Sequence, residues 1–281
     1  MKTISYETIV AQVRDLCIKA ATQLPSETRS AIQAAIRMEE SPLGKSILEK
    51  CLTNADIAAE QYVPICQDTG VAVFFVEMGT DIYIAGGSLE EAIQQGTKQG
   101  YKDGFLRNSI VSDPIFGRKN TGNNTPAIIY LSSVKGDSLK ITLTPKGGGS
   151  ENMSAIAMLK PSQGEEGVID FIVRTVTRAG GNPCPPTVVG IGIGGTFEKA
   201  AFLAKKALIR EVGQPNPDPN YADLENRILA GLNNSGVGPQ GLGGRATALA
   251  VHIEYHPCHI ASLPVAVNLN CHAARHATIL M

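Results

Sequence analysis

Three of the six cysteines in this 281-residue sequence sit where a core-filling cysteine would not. Cys66 lies in Pro64-Ile-Cys-Gln-Asp-Thr-Gly70, Cys184 in Gly180-Gly-Asn-Pro-Cys-Pro-Pro186, and Cys271 in Asn268-Leu-Asn-Cys-His-Ala-Ala-Arg275. Each follows or interrupts an apolar segment and is flanked by turn formers or polar groups. That context presents a thiolate to a metal, a cluster or a substrate. Three thiolates on a cluster, in place of four, would leave one metal position open for chemistry.

The other cysteines calibrate this reading. Cys17 belongs to the stripe Ile9, Val10, Val13, Leu16, Cys17, Ala20, Leu24, and Cys51 to Leu43, Ile47, Leu48, Cys51, Leu52, Ala55; both stripes have helical spacing. Free cysteine packs as a small apolar residue, so both are expected in the core. Cys258, in Tyr-His-Pro-Cys-His, fits either role.

The elements that must position these residues follow from periodicity and punctuation. The first 62 residues or so read as helices over Ser5–Leu24, Ser26–Glu39 and Pro42–Gln61, divided by Leu24-Pro25-Ser26 and Glu40-Ser41-Pro42. Val71–Glu77 is a buried strand directly after the Cys66 motif, with Asp81–Ala85 as its expected hairpin partner. A helix over Leu89–Tyr101 precedes a long loop, residues 105–126, rich in Asn, Gly, Asp and Arg; loops of that length tend to be functional or disordered. Strands over Ala127–Ser132 and Ser138–Thr144 lead into Lys146-Gly-Gly-Gly-Ser150. Further on come helices at Gly164–Ala179, Thr196–Ile209 and Ala222–Asn233, a strand at Thr187–Ile193, a glycine-rich loop at Gly236–Gly244, and last strands at Ala246–Tyr255 and Leu263–Leu269. The sum is one α/β (mixed α+β) domain over residues 1–281: N-terminal helices, then mixed β-sheets covered by helices, with glycine-rich loops at strand ends.

Composition sets bounds. With 43% hydrophobic and 18% charged residues and a formal net charge of −1, the chain reads as an ordinary soluble domain, and neither nucleic acid nor membrane is expected as a partner. No apolar run approaches the roughly 20 residues that span a bilayer. The start, Met-Lys-Thr-Ile-Ser-Tyr-Glu, leads into an amphipathic helix and lacks the pattern of a secretory signal, so a cytoplasmic location is expected. Disulfides are rare there, and metal, cluster or packing roles remain for the cysteines.

Gly190-Ile-Gly192-Ile-Gly-Gly195 matches a dinucleotide fingerprint between a strand and a helix. The acidic strand end that should follow about 20 residues later is instead the loop Glu211–Asp218, which argues against NAD. Tight strand–helix packing and a general anion site both account for the glycines. Lys146-Gly-Gly-Gly-Ser150 suits a nest of backbone N–H groups beside a cation, as well as a plain turn. All five histidines, His252, His256, His259, His272 and His276, fall within 25 residues near Cys258 and Cys271. Such a cluster can be a zinc site, although no Cys-x-x-Cys pair is present.

Taken together, Pro-Ile-Cys66-Gln67-Asp68-Thr-Gly, Leu106-Arg107-Asn-Ser, Arg118-Lys-Asn-Thr-Gly-Asn-Asn-Thr-Pro126, Lys146-Gly-Gly-Gly-Ser-Glu-Asn-Met153, Cys184-Pro-Pro, Gly-Pro-Gln-Gly-Leu-Gly-Gly244 and His259-Ile-Ala-Ser-Leu-Pro with Asn270-Cys271 resemble the α subunit of class I fumarate hydratases, a family that includes L-tartrate dehydratases. The resemblance runs in order along essentially the whole chain. It implies a [4Fe–4S] cluster on loops at strand ends, bound by Cys66, Cys184 and Cys271, with one iron open as a Lewis acid. It further implies substrate contacts from Gln67, Asp68, Arg107, Gly148, Gly149 and His259, with Asp68 as acid–base partner. Arg107 would clamp a carboxylate and the glycines would donate backbone N–H groups. Lys146 and Arg275 would tune the cluster or bind anions.

The activity so implied is reversible hydration of fumarate to L-malate, the tricarboxylic acid cycle reaction. The Lys146–Met153 loop resembles the fumarase form, which puts L-tartrate dehydration second. A non-enzymatic Cys/His metal protein is the reading from a different class. In single-chain relatives a further domain follows the cluster-bearing part, so a separate β subunit, in a heterotetramer, is expected to complete the enzyme.

Overall fold

Ser5 is where the first strand becomes the first helix: its hydroxyl accepts from the Thr8 N–H and caps the helix that begins at Tyr6. The computed structural model describes the whole chain, Met1–Met281. In order, the elements are β1 (Lys2–Ser5), α1 (Tyr6–Thr22), α2 (Ser26–Met38), α3 (Pro42–Gln61), β2 (Val71–Gly79), β3 (Ile82–Ala85) and α4 (Leu89–Asp103). They continue as β4 (Ile128–Val134), β5 (Leu139–Lys146), a single helical turn α5 (Gly148–Glu151), β6 (Ala155–Leu159), α6 (Gly164–Ala179), β7 (Thr187–Gly194) and α7 (Phe197–Ala207). The chain ends with α8 (Pro219–Asn233), β8 (Ala248–His256), β9 (Leu263–Asn270) and β10 (Ala277–Leu280). The mixed α/β class expected from the sequence is the class observed.

The chain divides into two compact units, the first made of Met1–Pro25, Ala55–Gly148 and Arg275–Met281, the second of Ser26–Asn54 and Gly149–Ala274. In the first, a four-stranded sheet has the order β10-β5-β2-β4, with β2 parallel to β4 and antiparallel to β5. One face of it, Phe74 and Val76 of β2 with Ile141 and Leu143 of β5, buries against Ile9, Val13, Leu16 and Cys17 of α1, backed by Ala92 and Ile93 of α4. Cys17 is therefore a core residue, as its stripe suggested. A capping box at Ser88 and Glu91 starts α4.

The expected hairpin between Val71–Glu77 and Asp81–Ala85 does not form. Both edges of β2 are already taken by β4 and β5, and the backbone just past it is tied elsewhere: Thr80 donates to Val134 O and Asp81 to Gly136 O. β3 instead pairs in parallel with β1, Lys2 opposite Ile82, a strand hidden in a sequence that reads as helix entry. Two further strands, β6 and β10, went unrecognised, so Leu263–Leu269 is not the last; both are short and lie at sheet edges, where alternation is weakest.

The second unit carries a sheet of order β6-β9-β7-β8, with β7 parallel to β8 and antiparallel to β9. Val189 and Ile191 of β7 pack with Val265, Val267 and Leu269 of β9 under Ile172 and Val176 of α6 and Ile228 and Leu232 of α8. On the opposite face, a Cβ on Gly190 or Gly192 would stand 2.2 and 2.0 Å from the carbonyl oxygens of Ala204 and Ala200 in α7. The fingerprint-like glycines are thus a strand–helix contact surface. α8 starts earlier than its apolar pattern, because Asp218 caps it and Pro219 fills its first turn.

Glu39, just past α2, is 2% exposed, and its carboxylate replaces a core contact. One oxygen accepts from the Glu40 and Ser41 N–H groups at 2.9 and 3.0 Å, the other from Arg245 and Ala246 at 2.8 and 2.9 Å. Burial alone would push this carboxyl up, but the four backbone donors outweigh it and hold it below the usual carboxylate range. It ties the turn before α3 to the glycine-rich loop before β8.

Two stability predictions follow from this packing. Glu39→Gln turns one acceptor into an amide facing two N–H donors, at an expected cost of about 3 kcal/mol by denaturant unfolding. Because the folded-state carboxyl is depressed, its contribution is complete above the unfolded value near 4.5 and disappears as pH falls through the folded value. The variant should flatten that acid limb, and an unchanged limb would contradict the assignment. Gly192→Ala should cost at least as much as a typical overpacked core site, about 1–3 kcal/mol, measured the same way.

Candidate functional site

In the first unit, the Cys66–Gly70 loop joins α3 to β2, and nearly every backbone group near it is held. Ile65 N–H donates to Ala21 O. The Tyr101 hydroxyl donates to Thr69 O and Gly70 O at 3.1 and 2.9 Å, and Asn124 Nδ2 donates to Gly70 O at 3.0 Å. Burial pushes the Tyr101 phenol up, so it remains a neutral donor across the working pH range. Gly70 has φ +79°, and a Cβ there would meet the Lys146 backbone at 2.7 Å, so the end of β5 closes directly over the loop.

Asp68 is the hinge of this group. Its Oδ1 accepts from Gly70 N at 3.0 Å and its Oδ2 from Gly148 N at 2.7 Å. The carboxylate thereby draws the glycine turn after Lys146 to the loop bearing Cys66 and Gln67, and lone pairs remain on both oxygens for a further donor. Of the two backbone donors expected from the glycine turn, the Gly148 N–H is committed to Asp68. Gln67 and Arg107 are exposed. The Arg107 carbonyl accepts from Thr69 Oγ1 at 3.1 Å, which fixes the start of the 105–126 loop to the same segment. That loop is ordered by its asparagines: Asn124, fully buried, takes Ser109 N–H at 2.6 Å, Asn120 donates to Asn108 O, and Asn108 to Gly122 O.

Arg275, just before β10, was a minor candidate on sequence and is a central residue in the structure. It is 3% exposed. Nη2 donates to Asp68 O at 3.1 Å, and its own carbonyl accepts from Thr144 Oγ1 at 3.1 Å. Its Nε and Nη1 are buried with no hydrogen-bond partner. Lys146, 2% exposed, lies on the neighbouring strand β5.

In the second unit, strand direction does the positioning. β9 runs antiparallel to β7 with Val188 opposite Asn270, so the loop entering β7 and the residue leaving β9 share one end of the sheet. Those are Cys184 and Cys271, and the contact is direct: His272 N–H donates to Cys184 O at 3.1 Å. Cys184 is exposed and has φ +55°, a conformation that costs a non-glycine residue about 1–2 kcal/mol. Gln240, from the glycine-rich loop, holds the next residue by donating from both its backbone and its side chain to Pro185 O, each at 2.8 Å. Gly149 opens onto Asn182 O of the Cys184 loop, 3.4 Å from where a Cβ would sit.

Cys51 corrects its expectation in part. It is only half-buried, and its thiol is pushed up to about 11, first by burial and then by the charges of Cys271 and Cys184. α3 therefore places a third sulfur at the cysteine end of this unit. Another group missed on sequence is Glu151, which ion-pairs with Lys205 of α7 at 2.6 Å and accepts from Asn268 Nδ2 at 2.7 Å, anchoring the turn after Gly149. Asn268 and Lys205 are 117 and 54 residues from Glu151 in sequence, a separation no local motif signals.

His259 is not brought to the cysteine end. It lies in the exposed β8–β9 connection, and eight strand residues of β9 at about 3.3 Å each separate that connection from Cys271. Its Nδ1 accepts from Ala261 N–H at 3.1 Å. Of the other histidines, His252 meets Ala207 O of α7, His256 meets Pro257 O, and His272 stands at the cysteine end, its Nδ1 3.2 Å from Cys184 O. No three His, Cys, Asp or Glu side chains converge as the ligands of a single metal ion. The loop thiols are open to reaction in each unit: Cys66 in the first is partly buried, and in the second Cys184 is exposed and Cys271 partly buried.

Residues 10–280 match the family model described as fumarate hydratase (fumerase). A Methanocaldococcus jannaschii protein named "Putative L(+)-tartrate dehydratase subunit alpha" is 43% identical over 270 residues, 94% of each chain. The L(+)-tartrate dehydratase subunit alpha of Escherichia coli K12 is 34% identical over 263 residues, 93% of this chain and 86% of its own length, and that of Shigella sonnei is equally similar. With nearly its full length matched, and the glycine turn, loop cysteines and Asp68 clip in place, this chain belongs to the class I fumarate hydratase family of hydro-lyases, as an α subunit.

Proposed function

We propose that this chain is the cluster-bearing α subunit of a hydro-lyase for a four-carbon dicarboxylate, with L(+)-tartrate as the first substrate to be considered. The observation that carries the reading is the Asp68 clip, which gathers Cys66, Gln67 and the Gly148 turn at one loop with Arg107 fastened to it. The names of relatives similar over nearly their whole length favour tartrate over the fumarate expected from the Lys146–Met153 loop. The family description keeps fumarate and malate as the second reading.

Dehydration of a 2-hydroxy dicarboxylate removes hydroxide from one carbon and a proton from its neighbour; with tartrate the product is an enol that becomes a keto acid. A [4Fe–4S] cluster on Cys66, Cys184 and Cys271 would supply a Lewis-acidic iron with room for the departing hydroxyl. The exposed Arg107 guanidinium is a planar fork suited to a substrate carboxylate. Gln67, exposed on the Cys66 loop, offers an amide donor and acceptor. Asp68, its orientation fixed by two backbone donors, has acceptor capacity for a substrate hydroxyl or a proton in transfer. The subunit designation of the relatives supports a β chain that completes the enzyme, which would explain why Arg107 and Gln67 stand exposed.

The test is to purify the chain anaerobically with and without its β chain, and to measure bound iron and turnover of L(+)-tartrate, fumarate and malate. The expected result is iron without zinc, activity only in the pair, and a larger kcat/KM on tartrate. Preference for fumarate would establish the second reading, and zinc in place of iron would sink both. Asp68→Asn should lower kcat by about 10²-fold or more with iron content kept.

Thiol labelling provides an independent check. In the iron-free chain, exposed Cys184 and Cys258 should react first, and Cys17, buried and pushed up to about 12, should not react. Iron loading should protect Cys184 and leave Cys258 reactive; the reverse pattern would reassign the ligand.

A further inference from the structure

The 105–126 loop of the first unit carries a held turn whose largest side chains stand in water. Residues 110–112 and 119–121 run side by side: Ser112 N–H donates to Lys119 O at 2.8 Å, Thr121 N–H donates to Ile110 O at 2.9 Å, and Val111 bridges Asn120 in antiparallel fashion. Between these arms, Asp113 Oδ1 accepts from the Ile115 and Phe116 N–H groups, both at 2.7 Å, and Arg118 Nη1 donates to Pro114 O at 2.6 Å. The aspartate side chain thus closes a turn that the backbone alone would leave open. Ile115 and Phe116 are nevertheless 71% and 89% exposed, with Pro114 exposed beside them.

Single exposed apolar residues are common and need no account. Two adjacent large ones on a turn with a fixed backbone differ, because covering them would order little that is not ordered already. Aromatic side chains presented in this way are enriched at the centres of interfaces. Charge sets what could cover them. Arg118 and Lys119 are exposed next to the tip, and its one acid, Asp113, is occupied by backbone donors. An apolar centre with cations at its side calls for a surface that is apolar in the middle and acidic at the rim.

The tip is rooted at Arg107. Asn120 Nδ2 donates to Asn108 O at 2.9 Å and Asn108 Nδ2 to Gly122 O at 3.0 Å, so the returning arm is fastened to the residue after Arg107. Phe105, two residues before Arg107, is exposed as well. We propose that the 114–116 tip is the anchor on which the β chain docks: Ile115 and Phe116 enter an apolar, acid-rimmed pocket of that chain, and seating them brings it to the loop that presents Arg107. This rests on the two-subunit reading given above. A second copy of this chain fits less well, because two such tips would set Arg118 and Lys119 against their like.

The experiment titrates the β chain into the full chain under anaerobic conditions and measures the dissociation constant, the association rate and turnover. Ile115→Ser and Phe116→Ser should each weaken binding by about thirtyfold, with the melting temperature of the free chain unchanged. At saturating β chain, kcat should return to within about twofold of the unmodified pair, which separates docking from chemistry. Lys119→Glu should slow association by about tenfold at low salt and by much less at high salt. Met38→Ser, at a residue 75% exposed and outside the loop, should leave the affinity as it was. Unchanged affinity in both loop variants, an equal loss in Met38→Ser, or faster association of Lys119→Glu overturns the proposal. So does a free chain that dimerises, or sediments with anionic phospholipid vesicles, only while Phe116 is present, if its affinity for the β chain does not depend on Phe116. An unmodified chain that binds no β chain and is active alone overturns the two-subunit reading, and this proposal with it.

Discussion

The antiparallel pairing of β9 on β7 decides where the second unit keeps its chemistry. A strand that enters where its neighbour leaves puts the residue before one and the residue after the other side by side. Val188 opposite Asn270 thereby makes neighbours of Cys184 and Cys271, which are 87 positions apart in the chain. The same directionality brings in the loop before β8, since β8 is parallel to β7, and through it Gln240 reaches the backbone of the Cys184 loop. Slippage by one residue would turn Asn270 and the core side chains of β9 to the other face, so the core stripe Val265, Val267 and Leu269 also fixes the register of the cysteine end.

The first unit solves a different problem, that of holding a polar loop still. The Cys66–Gly70 segment has no strand or helix to satisfy its backbone, and side chains do it instead: Tyr101, Asn124, Thr69, Asp68 and Arg275. Neutral buried groups such as the Tyr101 hydroxyl and the Asn124 amide find partners and contribute as ordinary hydrogen bonds, each about 1 kcal/mol net. Arg275 is unlike them, because its charge is buried and only one of its three nitrogens is paired. Together with the strained φ of Cys184, it marks places where the fold carries local cost, and such places concentrate at functional sites.

How much of this was legible in the sequence depended on the range of each interaction. Cys17 was assigned to the core because its partners repeat every three to four residues on α1, and the structure agrees. The glycines at 190 and 192 were ambiguous between packing and anion binding because a short strand–turn–helix motif is common to both; only the position of α7 resolves it. β1 escapes a sequence reading because a four-residue strand ending in a strong N-cap carries too little pattern, and β3 is given the wrong partner because a short gap usually means a hairpin. Cys66, Cys184 and Cys271 stood out by their turn-forming neighbours, whereas Cys51 was hidden by a helical stripe that is real but faces the cysteine end at its margin. His259 lies in the β8–β9 connection, at the other end of β9 from Cys271, a placement that its motif alone does not show.

That placement sharpens what the chain's own residues can accomplish. Dehydration needs a group to bind each carboxylate, a group to take the proton and a site for the hydroxyl. The first unit gathers Gln67, Asp68 and Arg107 around one rigid loop, but a single exposed guanidinium can clamp only one carboxylate of a dianion. The buried cations cannot serve as the second clamp, since Arg275 and Lys146 are enclosed at 3% and 2% exposure. A second clamp must then come from outside this set of residues, and a β chain docking over the exposed Arg107 and Gln67 would supply it while excluding the water that weakens such contacts. Under the proposed function the division of labour would be chemical: this chain fixes the loop that bears Asp68 and Arg107, and a β chain would enclose the substrate.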